Sequence, residues 1–85
     1  MSRREKIIAR LLSRPRDFNY SELETLLLIL GYEEVKTGKT SGSRRAFILP
    51  SKKHIIRLHK PHTGKELRLY QIDYIIHELK KEKLI

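Results

Sequence analysis

The amino-acid sequence predicts an α+β domain in the order α-α-β-β-β-α, a three-stranded antiparallel meander packed on helices. Three observations carry that prediction. Apolar residues recur at helical spacing near residues 2–13, between Asn19 and Gly31, and near residues 67–82. Between Tyr32 and His59 that period vanishes, and glycine, serine and proline divide the chain into short runs. A length of 85 residues without cysteine suits a single domain (residues 1–85) with one core, and excludes disulfide staples, thiolate metal sites and cysteine nucleophiles.

The elements follow in order. In the first helix Ile7, Ile8, Leu11 and Leu12 share a stripe, and Arg14-Pro15-Arg16 ends it because the residue before a proline avoids helical backbone. Asn19 is a good N-cap for the second helix, with Glu22 at capping-box spacing and a Phe18–Leu23 hydrophobic staple. Leu23, Leu26, Leu27 and Leu30 form its buried stripe, and Gly31 is placed to end it in a left-handed conformation. Leu28 and Ile29 fall off the stripe, so the first helix is expected to cover them. The strands are expected at 32–37, 43–49 and 53–58, with turns at Gly38 to Gly42 and at Pro50-Ser51. In the last strand His54, Ile56 and Leu58 share one face, and Ile55, Arg57 and His59 the other. In the closing helix Leu69, Ile72, Ile75, Ile76 and Leu79 face the core. Tyr70, Tyr74 and His77 fall on its opposite side, either as ordinary surface or as a partner surface.

Charge narrows the function. Nineteen Lys and Arg against ten Asp and Glu give a net +9 and a pI near 10.1, the footprint of a polyanionic partner, with nucleic acid the leading reading. Acidic proteins and anionic membrane surfaces are the other partners such charge can meet. The longest apolar run, Leu26 to Leu30, is far short of a membrane span, and the N-terminus has no signal-peptide core, so a cytoplasmic protein is expected. No cofactor or metal is expected. His59 and His62 lack a third ligand nearby, and Gly38-Lys39-Thr40 lacks the upstream glycine of a phosphate-binding loop.

A basic set remains in and beside the strands. Lys39, Ser43, Arg44, Arg45, Arg57 and Lys60 are the expected phosphate-binding residues, with His54, His59 and His62 among them. RNA cleavage without metal needs a base for the 2′-hydroxyl, cations for the phosphorane and an acid for the leaving oxygen. Histidine suits those proton transfers near neutral pH. The same residues also suit plain nucleic-acid binding, since strand-end histidines often only cap or solvate.

The order of short motifs adds a resemblance. Asn19-Tyr20-Ser21-Glu22-Leu23 through Leu30-Gly31-Tyr32, then Gly42-Ser43-Arg44, then His62-Thr63-Gly64-Lys65-Glu66-Leu67 and a last helix resemble the HicA toxin family. The resemblance spans residues 18–82 and leaves residues 1–14 as an additional N-terminal helix. It implies a fold like the double-stranded RNA-binding domain and an mRNA interferase, an endoribonuclease neutralised by a HicB-like antitoxin. The family motif is usually Gly-Ser-His with a catalytic histidine, and Arg44 stands at the matching position. A guanidinium stays protonated and cannot act as a base. Either His59 or His62, which matches a histidine often found before the family's Gly-x-Glu-Leu segment, has taken the role, or the chain binds RNA without cutting it. A third reading is a protein-interaction domain using Tyr70, Tyr74 and His77.

Overall fold

The computed structural model describes residues 2–35, 44–61 and 66–85. Its elements are α1 (Arg3–Leu12), α2 (Tyr20–Ile29), β1 (Glu33–Val35), β2 (Arg44–Leu49), β3 (His54–His59) and α3 (Leu69–Lys81), which is the predicted α+β order. The strands form one antiparallel sheet in the order β1-β2-β3. The helices cover one of its faces. Leu11 from α1, Leu23, Leu26 and Leu27 from α2, Phe47 and Ile56 from the sheet, and Ile72, Ile75 and Leu79 from α3 are all essentially inaccessible.

Local chemistry fixes the element ends. Ser2 caps α1, its hydroxyl accepting from the Glu5 amide at 3.2 Å, and the helix ends before Arg14, which has φ +51. The capping box of α2 is complete: the Glu22 amide donates to Asn19 Oδ1 at 2.9 Å and the Asn19 amide donates to Glu22 Oε1 at 3.3 Å. At the other end Gly31 has φ +102, its amide donates to Leu28 O and the Tyr32 amide donates to Leu27 O, which is the Schellman arrangement. β3 begins one residue later than expected because Lys53, at φ +51, belongs to the turn from Pro50. α3 likewise begins after Leu67, whose amide donates to Phe18 O at 2.8 Å and ties this segment to the start of α2.

Two expectations fail. Leu12 lies at the margin of its stripe and is 42% exposed, and Leu28 is 60% exposed, uncovered by α1. α1 is anchored instead beside the first turn of α2, where Arg10 Nη2 donates to Glu22 Oε1 at 3.1 Å. Leu28, six residues on, points about 240° around the helix from Glu22, at roughly 100° per residue.

α3 also closes the outer edge of β3. Gln71 Nε2 donates to His59 O at 3.0 Å, the Arg57 amide donates to Tyr74 Oη at 3.4 Å, and Glu78 Oε1 lies 2.9 Å from His54 Nε2. These three residues recur at i, i+3 and i+7 on one helix stripe. They satisfy polar groups of an edge strand that would otherwise be open to another chain.

Candidate nucleic-acid interface

The register decides which basic residues meet. Arg44 of β2 pairs with His59 of β3, and Ala46 pairs with Arg57. The buried face of these strands carries Phe47, Leu49, Ile56 and Leu58, so Arg44, Arg57 and His59 project together from the other, open face. All three are exposed. Side chains directly opposite in an antiparallel pair stand about 5 Å apart at Cβ, which puts a guanidinium within reach of whatever the imidazole touches. Toward the other end the open face turns apolar, with Val35, Ala46, Ile48 and Ile55, and then meets Glu33 opposite Ile48.

Arg45 is on the opposite side from its neighbour. It pairs with Leu58 on the helix-covered face, its Nε lies 3.8 Å from Glu34 Oε2, and its Nη1 donates to Arg44 O at 2.9 Å. Glu34 also accepts from Tyr20 Oη at 3.0 Å, and burial together with that bond raises the tyrosine's pKa. Lys60 Nζ lies over the Tyr20 ring, 5.1 Å from its centroid. Arg45 and Lys60 are therefore partly committed to the Tyr20–Glu34 pair. Lys39, Ser43 and His62 lie outside the described residues.

The aromatic face of α3 divides as well. Tyr74 is bound to the β3 edge through the Arg57 amide, whereas Tyr70 is 60% exposed and His77 is exposed. Tyr70 borders a cleft of about 400 Å³ between the end of β3 and the start of α3, lined also by His59, Lys60, Pro61, Glu66, Arg68 and Gln71.

Sequence reasoning missed Gln71. Its side chain, 9% exposed, accepts from the Arg68 amide at 3.0 Å as it donates to His59 O, so it joins the N-terminus of α3 to the strand end bearing His59. A polar residue bordering the helix's apolar stripe, one turn before Ile75, was the available signal. His54, noted among the basic residues, is instead structural. Its Nδ1 lies 2.6 Å from Tyr32 Oη and its Nε2 bonds Glu78, at the end of β3 remote from Arg44. Burial and the carboxylates of Glu82 and Glu78 push the Tyr32 phenol up to about 12, while the His54 bond holds the Glu78 carboxyl below its ordinary value.

Among the described residues no three potential metal ligands cluster, and no helix is long and apolar enough to cross a membrane. Fold and charge together define a class: a compact α+β domain whose open sheet face is cationic at one end. The model of the HicA toxin family of bacterial toxin–antitoxin systems matches residues 20–81, and the chain belongs to that family. α1 lies outside the matched segment. No curated protein and no solved structure matches the chain.

Proposed function

We propose that this toxin binds mRNA on the open face of its sheet and cleaves it without metal, with His59 as the proton-transfer group. The observation that carries the proposal is the register that sets Arg44 opposite His59 with Arg57 two residues along the same face. His59 takes the 2′-hydroxyl proton as that oxygen attacks the adjacent phosphorus. Arg44 and Arg57 hold the phosphate and offset the charge that grows on the phosphorane. The P–O5′ bond breaks, the 5′ oxygen takes a proton from an acid, and the products are a 2′,3′-cyclic phosphate and a 5′-hydroxyl. His62, from its place in the sequence, is the second histidine available as that acid. Gln71 fixes the backbone of His59, which helps hold the imidazole in place.

A HicB-like antitoxin neutralises the toxin by covering this face. The exposed apolar residues Val35 and Ile55, on the same face as the basic end, offer what such a cover needs: area to bury and charge to match.

A purified-protein cleavage assay in the presence of chelator tests the reading. The expected result is cyclic-phosphate ends, with His59→Ala reducing the rate at least roughly 100-fold. Intact RNA at high protein excess would favour the second reading, a module that binds RNA without cutting it. That reading draws on Arg44 standing where the family motif usually has histidine.

A further inference from the structure

The cleft between β3 and α3 contains a feature that phosphate binding does not explain. His59, Lys60 and Arg68 suit an anion, yet Glu66 lines the same space, and its side chain makes no hydrogen bond or ion pair with a described residue. A carboxylate there repels phosphate. It is productive only if the occupant brings hydrogen-bond donors along with its negative charge. Tyr70 adds an aromatic ring, 60% exposed, on the same wall. Glu66 itself is held in place, since its backbone bridges Asn19 and the following amide donates to Phe18 O.

We infer that this cleft receives one unpaired base of the bound RNA, stacked on Tyr70 with its Watson–Crick edge toward Glu66, and that the base is guanine. The inference rests on the RNA-binding reading above. Guanine presents two parallel donors, N1–H and N2–H, that match the two carboxylate oxygens, whereas adenine and cytosine present one amino group and uracil one imino group. The cleft volume of about 400 Å³ accommodates a single nucleoside. His59 lies both on this cleft and opposite Arg44, so the phosphate next to the captured base falls at the cationic end of the sheet. A base in this cleft must leave any duplex, so the site selects single-stranded RNA.

Fluorescence anisotropy with 2′-O-methyl pentanucleotides UUXUU, which cannot be cleaved by 2′-hydroxyl attack, tests the inference with X as guanine, inosine, adenine, cytosine or uracil. Guanine should bind roughly tenfold more tightly than inosine, which lacks the N2 amine. Glu66→Gln should abolish that preference, and Tyr70→Ala should weaken all five by roughly tenfold. Both side chains are exposed, so the variants retain the fold. Equal affinity for all five, unchanged by either substitution, would overturn the base cleft and leave RNA binding intact. No binding of any pentamer in low salt would overturn both this inference and the RNA-binding reading.

Discussion

Replacing Gln71 with leucine should cost the protein about 2 kcal/mol while leaving its volume nearly unchanged. The side chain makes two neutral hydrogen bonds, one accepted from the Arg68 amide and one donated to His59 O, both at 3.0 Å. Each contributes about 1 kcal/mol net, and the cost rises where a partner is left buried without water. Arg68 and His59 are both exposed residues whose backbone groups can partly hydrate, so the cost stays near the sum of the two bonds. For a domain of this size, about 2 kcal/mol lowers Tm by on the order of 10 °C. Equilibrium urea unfolding should show a lower midpoint with an unchanged slope, since the same surface is buried. Gln71→Glu discriminates the two bonds. It keeps the acceptor for the Arg68 amide but sets a carboxylate against a carbonyl, so it should destabilise by at least about 1 kcal/mol, the value of one such bond. A change below about 0.5 kcal/mol for Gln71→Leu, the range of ordinary surface substitutions, would refute the assigned role.

Four further outcomes follow. Gly31→Ala should destabilise by roughly 1–3 kcal/mol in urea melts, because φ is +102 and the new Cβ would meet Leu49 Cδ1 at 3.2 Å. The folded Glu78 carboxyl has a lowered pKa, so it binds a proton less readily than in the unfolded chain. Its linked stability is therefore complete above the ordinary carboxylate range and lost as pH falls through the folded value, and the stability gap between wild type and Glu78→Gln in urea melts should close in acid. Arg44→Ala and Arg57→Ala should each reduce the salt slope of single-stranded RNA binding by about 0.7, measured by titration at several salt concentrations, with a smaller effect for Arg45→Ala because Glu34 already offsets its charge. Arg44→His should raise the cleavage rate if that position retains its place in the family's catalytic geometry, and an unchanged rate would remove the position from the proton transfers.

The fold was legible because local signals and global pattern agree. The Asn19–Glu22 box, the stop at Gly31, and the alternation of His54, Ile56 and Leu58 with Ile55, Arg57 and His59 are each short-range features that survive folding unchanged. Strand pairing is not short-range. Alternation placed Arg57 and His59 on one face, but only the register shows Arg44 opposite His59 and Arg45 turned toward Glu34. Adjacent arginines on a strand must point to opposite faces, so the Arg44–Arg45 pair already held that division. Gln71 and Glu66 were harder to see, because their roles depend on α3 lying along the β3 edge and on the tie between Leu67 and Phe18.

The charge distribution links the fold to the proposed chemistry. A net +9 spread evenly would give a weak field everywhere, but the carboxylates are not placed evenly. Arg10 is matched by Glu22 and Asp17, Arg14 by Asp73 through two bonds of 2.7 and 3.0 Å, Arg45 by Glu34, and Lys81 by Glu78. These pairs tie α1 to α2, the turn after α1 to α3, and the helix-covered face of the sheet to itself, with Lys81 and Glu78 paired within α3. Exposed pairs of this kind contribute little to stability, and their larger consequence is electrostatic. They offset Arg10, Arg14, Arg45 and Lys81 away from the open face, whereas Arg44 and Arg57 stand beside His59 on that face, with Glu33 at its far end. Arg3, Arg4, Lys6, Arg16 and Lys80 keep the helical side cationic as well, so the open face is set apart by two guanidiniums meeting an imidazole rather than by charge alone.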